Sequence, residues 1–139
     1  MHWDDSPSAG FTAEGIEPWL PVSLDYKDRN VKKQSEEPQS MYSLYKQLLR
    51  LRKKFAPGRP VLLDVKNDNI LAYARRTKEG KDALVLLNFS QDNESVDLGL
   101  MNADSGMLLL NTSLDRQTGE YIDFSNLILK PKEGYICLL

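Results

Sequence analysis

From Ser40 to Phe55, apolar residues Met41, Leu44, Tyr45, Leu48, Leu51 and Phe55 recur at spacings of three and four, while Lys46, Arg50, Lys53 and Lys54 fall elsewhere around the wheel. This is the pattern of an amphipathic helix with one apolar stripe. Pro38 stands near its start, Ser40 is placed to cap it, cations in the last turn suit the helix dipole, and Pro57-Gly58 stops it. A shorter helical turn fits Val31 to Ser35. Beyond Arg59 the period becomes two, or the runs become short and apolar: Val61 to Val65, Ile70 to Arg75, Ala83 to Phe89, Ser95 to Leu98, Met107 to Leu110, Glu120 to Phe124, Leu127 to Leu129 and Tyr135 to Leu139. Eight strands fit. Turns are predicted at Asn67-Asp68-Asn69, Lys78-Glu79-Gly80, Asp104-Ser105-Gly106, Gln117-Thr118-Gly119 and Lys132-Glu133-Gly134. Their close spacing is that of an antiparallel sandwich or barrel.

Residues 1–30 keep no period. They are rich in Pro, Gly, Asp and Ser yet hold Trp3, Phe11, Trp19 and Tyr26, which predicts a long structured loop rather than a disordered tail. The expected fold class is therefore mainly β: an N-terminal loop and amphipathic helix over 1–58, then an antiparallel β-sandwich of about eight strands over 59–139. The helix stripe must be covered, by the sheet, by a part of the protein outside this chain, or by self-association through residues 40–55.

The 139 residues, 41% hydrophobic and 27% charged, suit one soluble globular unit with a real core. No apolar run approaches a membrane span, and the opening lacks the basic start and apolar stretch of a signal peptide. No membrane association is expected, and a cytoplasmic location is. The net charge of -2 conceals an asymmetry: residues 25–60 carry ten Lys/Arg against four Asp/Glu. No aromatic platform or nucleic-acid motif interleaves with that basic stretch, so it reads as a solvated helix face and no nucleic-acid partner is expected.

Candidate chemistry is sparse. One histidine and one cysteine cannot supply the usual soft ligands of zinc, so no metal is expected. No glycine loop suits a phosphate, and no cofactor is expected. A Ser/His/Asp arrangement would need His2, at a terminus expected to fray. Cys137 in a terminal apolar strand reads as a buried structural thiol. Sequons occur at Asn88, Asn93 and Asn111, a number close to chance. Adjacent carboxylates occur only at Asp4-Asp5 and Glu36-Glu37, and consecutive residues rarely converge on one substrate, so both pairs read as surface solvation. Asp4 is the better candidate because Trp3 stands beside it: a ring next to a carboxylate can stack on a sugar face and accept its hydroxyls, although the same pair can anchor a loop.

The segment from Met1-His2-Trp3-Asp4-Asp5-Ser6-Pro7-Ser8-Ala9-Gly10-Phe11-Thr12 through Pro18-Trp19-Leu20-Pro21-Val22 to Asn30-Val31 resembles the late region of α-glucosidases in the α-amylase family, glycoside hydrolase family 13. Ser40 to Lys54, with Tyr42, Tyr45, Leu48, Leu51 and Arg52, resembles the last helix of that family's (β/α)8 barrel. Tyr73-Ala74-Arg75 and Leu87-Asn88-Phe89-Ser90 resemble strands of its C-terminal β-domain. The resemblance implies the C-terminal part of an enzyme acting on α-linked oligosaccharides, with residues 1–58 as the end of the catalytic barrel. It also implies that the nucleophile aspartate, the acid/base glutamate, the transition-state aspartate and an entrance arginine all precede Met1. No catalytic residue is then expected here, the chain alone should be inactive, and its partner would be the missing catalytic barrel. Trp3, Asp4 and Phe11 become candidates for the loop near the substrate entrance, although His2 replaces the usual glutamine and Ser8 the usual asparagine. The alternative is a free-standing carbohydrate-binding or stabilising module, with Trp3, Trp19 and Tyr26 as sugar platforms.

Overall fold

The computed structural model describes residues 1–76, 80–99, 101 and 103–139. They divide into two compact units, Met1–Lys46 and Gln47–Leu139. Lys78 and Glu79 of one predicted turn lie outside the described residues.

The first unit is the loop, tightened by single 3-10 turns at Pro7–Gly10 and Leu24–Lys27, and the helix α1, Val31–Glu36. A helix of six residues forms only if its orphan amide groups find partners. Here the amides of Val31 and Lys32 donate to the carbonyls of His2 and Trp3, both at 3.0 Å, and Gln34 N–H closes the first helical bond to Asn30 O. Lys33 N–H donates to Asn30 Oδ1 at 2.9 Å, the N-cap bond expected of an asparagine. The chain's first residues are thereby fixed against the helix start.

Helix α2, Met41–Phe55, begins as its sequence predicts. Ser40 Oγ accepts the Ser43 amide at 3.1 Å and donates to Gln34 O at 2.6 Å. Gln34 Oε1 takes the Tyr42 amide at 3.1 Å. Its apolar residues, however, do not form one stripe. Leu44 and Phe55 are buried and Leu48 and Leu51 half-buried, whereas Met41, Tyr42, Tyr45 and Leu49 are exposed. At 100° per residue the inward set and the set Tyr42, Tyr45 and Leu49 each span about 60° and lie roughly 120° apart. The helix has two apolar faces and one basic flank.

The second unit holds all eight predicted strands: β1 Pro60–Leu63, β2 Ile70–Arg76, β3 Asp82–Asn88, β4 Glu94–Ser95, β5 Ser105–Asn111, β6 Tyr121–Asp123, β7 Ile128–Leu129 and β8 Gly134–Leu138. Every pairing is antiparallel. Six strands form one sheet in the order β1-β2-β3-β8-β5-β6, and β4 and β7 form a two-stranded ribbon. The chain leaves the large sheet after β3 and again after β6 to build that ribbon, giving an unequal sandwich. A bulge between Leu108 and Leu110 adjusts the β5–β8 register.

Register determines which side chains meet. Leu84, Cys137 and Leu108 align across β3, β8 and β5, as do Ala72, Leu86 and Tyr135 across β2, β3 and β8. With Val96, Leu98, Phe124, Leu127 and Leu129 they make one core. Leu84, Leu86, Leu108 and Leu129 are wholly buried, each stabilising by about 1.5–3 kcal/mol relative to exposure. The turn expected at Asp104-Ser105-Gly106 is instead the start of β5. A Cβ on Gly106 would stand 2.7 Å from Phe124 Cζ, so its glycine serves close packing under a ring.

Buried polar groups are paired. Asn88 Nδ2 donates to the carbonyls of Asp92, Leu129 and Lys130 at 2.8, 3.2 and 2.9 Å, pinning the end of β3 to the ribbon. Glu133 accepts the Lys130 amide at 2.8 Å and the Ser113 hydroxyl at 3.3 Å. Arg75 Nη1 donates to Ala56 O and Gly58 O at 3.3 and 3.2 Å, satisfying carbonyls where Pro57-Gly58 ends α2.

Candidate functional site

The candidate residues Trp3, Asp4 and Phe11 belong to the first unit, and a left-handed turn organises them. Ser8, Ala9 and Gly10 have φ of 59°, 54° and +73°, a conformation that only glycine adopts without strain. Ala9 is fully buried inside the turn; its amide donates to Ser6 O at 2.9 Å and its carbonyl accepts Trp3 N–H at 3.0 Å. The turn folds back on Trp3 and Asp4 so closely that a Cβ on Gly10 would lie 3.1 Å from both Asp4 Oδ1 and Trp3 Cβ.

Asp4 Oδ1 accepts the Ser6 amide at 3.0 Å and the Ser6 hydroxyl at 2.5 Å. The hydroxyl first, and the amide second, hold its carboxyl below the ordinary aspartate value, with Lys32 adding a smaller pull. A group held ionised in this way accepts hydrogen bonds and does not donate protons near neutrality. Trp3 is 50% and Phe11 48% exposed, so two rings remain open in the loop that holds the fixed carboxylate. That combination suits apolar stacking with hydroxyl recognition.

His2 is not frayed. Its backbone carbonyl is bound by Val31, its Nδ1 lies 3.1 Å from Arg29 O, and its ring meets Phe11 and Tyr26 edge-on at centroid distances of 6.4 and 6.3 Å. It therefore orients Phe11. Asn30, almost fully buried, ties the same region together by donating to Tyr26 O at 2.8 Å while capping α1. Sequence reasoning singled out neither role; the available signals were an asparagine directly before a helical run and a glycine inside a loop. Trp19 is 91% exposed beside Pro18, Pro21 and Tyr26 along a shallow groove of about 410 Å³.

The remaining candidates fall where their surroundings place them. Asp5 pairs loosely with Lys32 at 3.9 Å and Glu36 and Glu37 are exposed. Cys137 is fully buried, and burial pushes its thiol up to about 12. Asn88 and Asn111 are buried and hydrogen-bonded, which closes two of the three sequons to modification.

The model of the alpha-amylase catalytic domain family matches residues 1–57. The chain is similar to an α-glucosidase of Schizosaccharomyces pombe, 36% identical over 119 residues covering 83% of this chain and 20% of that one. It is similar to an oligo-1,6-glucosidase of Bacillus cereus, 33% identical over 98% of this chain and 24% of that one. Among solved structures, a MUTB mutant from crystals soaked with trehalulose superposes with a TM-score of 0.76 at 27% identity, over 99% of this chain and 24% of that one. The chain spans about a quarter or less of the length of these proteins. Matches that run through the loop, α2 and the sandwich alike place this chain in the α-amylase family, glycoside hydrolase family 13, as an α-glucosidase-like stretch of it.

Proposed function

We propose that these residues serve as the C-terminal part of an α-glucosidase-like hydrolase acting on α-glucosidic bonds of oligosaccharides, and that they contribute no catalytic group of their own. The observation that carries this reading is the loop of Trp3, Asp4 and Phe11: two open rings and a carboxylate kept ionised by Ser6, within the stretch matched by the catalytic-domain model. In this reading Trp3 and Phe11 offer apolar faces to a sugar at the substrate entrance and Asp4 accepts its hydroxyls. A retaining glycosidase needs two carboxyl groups about 5 Å apart, one as nucleophile and one as acid/base. Asp4, held ionised by Ser6, does not suit the acid/base half of such a pair. The family resemblance assigns that pair to the barrel, the partner these residues would complete.

The test is hydrolysis of a nitrophenyl α-glucoside. The pure 139-residue chain should release no nitrophenol above the uncatalysed rate, and turnover that stays with the protein through successive purification steps would overturn the reading.

A second reading rests on Trp19, whose ring stands 91% exposed near Tyr26: a non-catalytic carbohydrate-binding module. It predicts a saturable change in tryptophan fluorescence on titration with maltose or isomaltose, lost in Trp19→Ala.

A further inference from the structure

The two oxygens of the Asp4 carboxyl have different surroundings. Oδ1 takes both bonds from Ser6 and is shielded by Gly10, where a Cβ would stand 3.1 Å away. Oδ2 accepts from no group among the described residues. Lys32, whose charge pulls on Asp4, pairs with Asp5 at 3.9 Å instead. Ser6 is exposed, and its hydroxyl hydrogen is given to Asp4 Oδ1 at 2.5 Å. A hydroxyl has one hydrogen and two lone pairs, so Ser6 Oγ can still accept but has nothing left to donate. Asp4 Oδ2 and Ser6 Oγ therefore stand side by side as two open acceptors, no further apart than one carboxylate's width plus that hydrogen bond.

We infer that Ser6 is a direct sugar contact: Ser6 Oγ and Asp4 Oδ2 together take a vicinal diol, each accepting from one of its hydroxyls. Adjacent acceptors match adjacent donors, and a bond to an ionised acceptor is of the stronger kind. The same bonding recurs at Asp123, whose Oδ1 takes the Ser125 amide at 2.8 Å and the Ser125 hydroxyl at 2.7 Å. There the intervening ring, Phe124, is buried, whereas Trp3 and Phe11 are open in the loop of Asp4. On the reading of this loop as a sugar face, which the assignment presupposes, the pair selects hydroxyls free to donate. A sugar whose two hydroxyls are capped as ethers would cover an ionised oxygen and leave it without a partner, which is costly.

Titration of the isotope-labelled 139-residue chain, followed by amide NMR, tests this. Methyl α-glucopyranoside should shift the Trp3, Ser6 and Gly10 amides saturably and leave Ser125 unmoved. Its tetra-O-methyl ether keeps the ring and gains apolar area but cannot donate, and should bind more than about tenfold more weakly. Ser6→Ala should weaken the glycoside about as much and narrow its advantage over the ether. Ser6→Thr, which keeps the hydroxyl, should restore both. Unchanged exchange of the Trp3 amide, bound to Ala9 O, reports that the turn survives Ser6→Ala, and the ether comparison needs no variant. An ether that binds as tightly as the glycoside overturns the inference. Binding indifferent to Ser6→Ala also overturns it, and leaves the sugar face standing without Ser6. Shifts at Ser125 equal to those at Ser6 would extend the contact to any serine-bonded carboxylate and overturn it as well. No saturable shift in the loop would remove the sugar face itself, and the inference with it.

Discussion

Gly10 stands so close to Asp4 that a methyl group in place of its hydrogen would lie 3.1 Å from the Asp4 Oδ1 atom. The left-handed turn and the candidate carboxylate are one structure, since the oxygen that would be crowded is the one that takes both bonds from Ser6.

Replacing Gly10 by alanine should therefore disturb the loop twice over, through its φ of +73° and through that contact. The strain should be about 1–2 kcal/mol, which corresponds to roughly 5- to 30-fold faster hydrogen exchange of the Trp3 and Lys32 amides. Amides of β3 and β8 should exchange as before.

Asn30→Ala removes the α1 cap and leaves Tyr26 O without its buried donor. A loss of about 1–2 kcal/mol is expected. Asn30→Asp should restore the cap bond but not the donor, and so should fall between the two. Backbone amide exchange at Val31 to Gln34 would check the ranking.

Acid should weaken the second unit through Asp115. The Asn111 amide, at 2.5 Å, and then Lys130, at 3.2 Å, hold its carboxyl below the ordinary value. A carboxyl whose folded value is depressed contributes stability at pH above its unfolded value of about 3.9 and loses it as pH falls through the folded value. Asp115→Asn should lower the melting temperature at neutral pH and flatten its decline below about pH 4. Thermal denaturation followed between acid and neutral pH separates the two. An unchanged acid limb would show that other carboxyl groups carry it.

Cys137 should resist modification in the native protein, because its sulfur is wholly buried and its thiol is pushed up to about 12. Reaction with a thiol reagent should track global unfolding in denaturant. Fast native labelling would mean that β8 opens locally.

The fold was legible where residues alternate or recur, and opaque where one residue type serves two purposes. All eight strands carried enough period, or enough apolar run, to be placed, and Ser40 capped α2 as expected. The two faces of α2 merged into one stripe because four- and three-residue spacings link Leu48 to Leu44 and to Tyr45 equally well. Gly106 looked like a turn because a glycine needed for packing under Phe124 is indistinguishable in sequence from one needed for positive φ. The left-handed Ser8 and Ala9 left no signal at all, since neither residue type favours that conformation. Trp3 and Asp4 stood out as a ring beside a carboxylate, and Phe11 only through its resemblance to the α-glucosidase loop. Their shared dependence on His2, Ser6 and Gly10 emerges only in three dimensions.

The central claim is that these residues work as part of a longer glycosidase, and the mass of the protein in its source cells tests it most directly. An antibody raised against the β-sandwich should detect a species about four times heavier than 15.8 kDa, as the length of the relatives predicts. A sole species at 15.8 kDa would contradict the claim and make the carbohydrate-binding module the leading account.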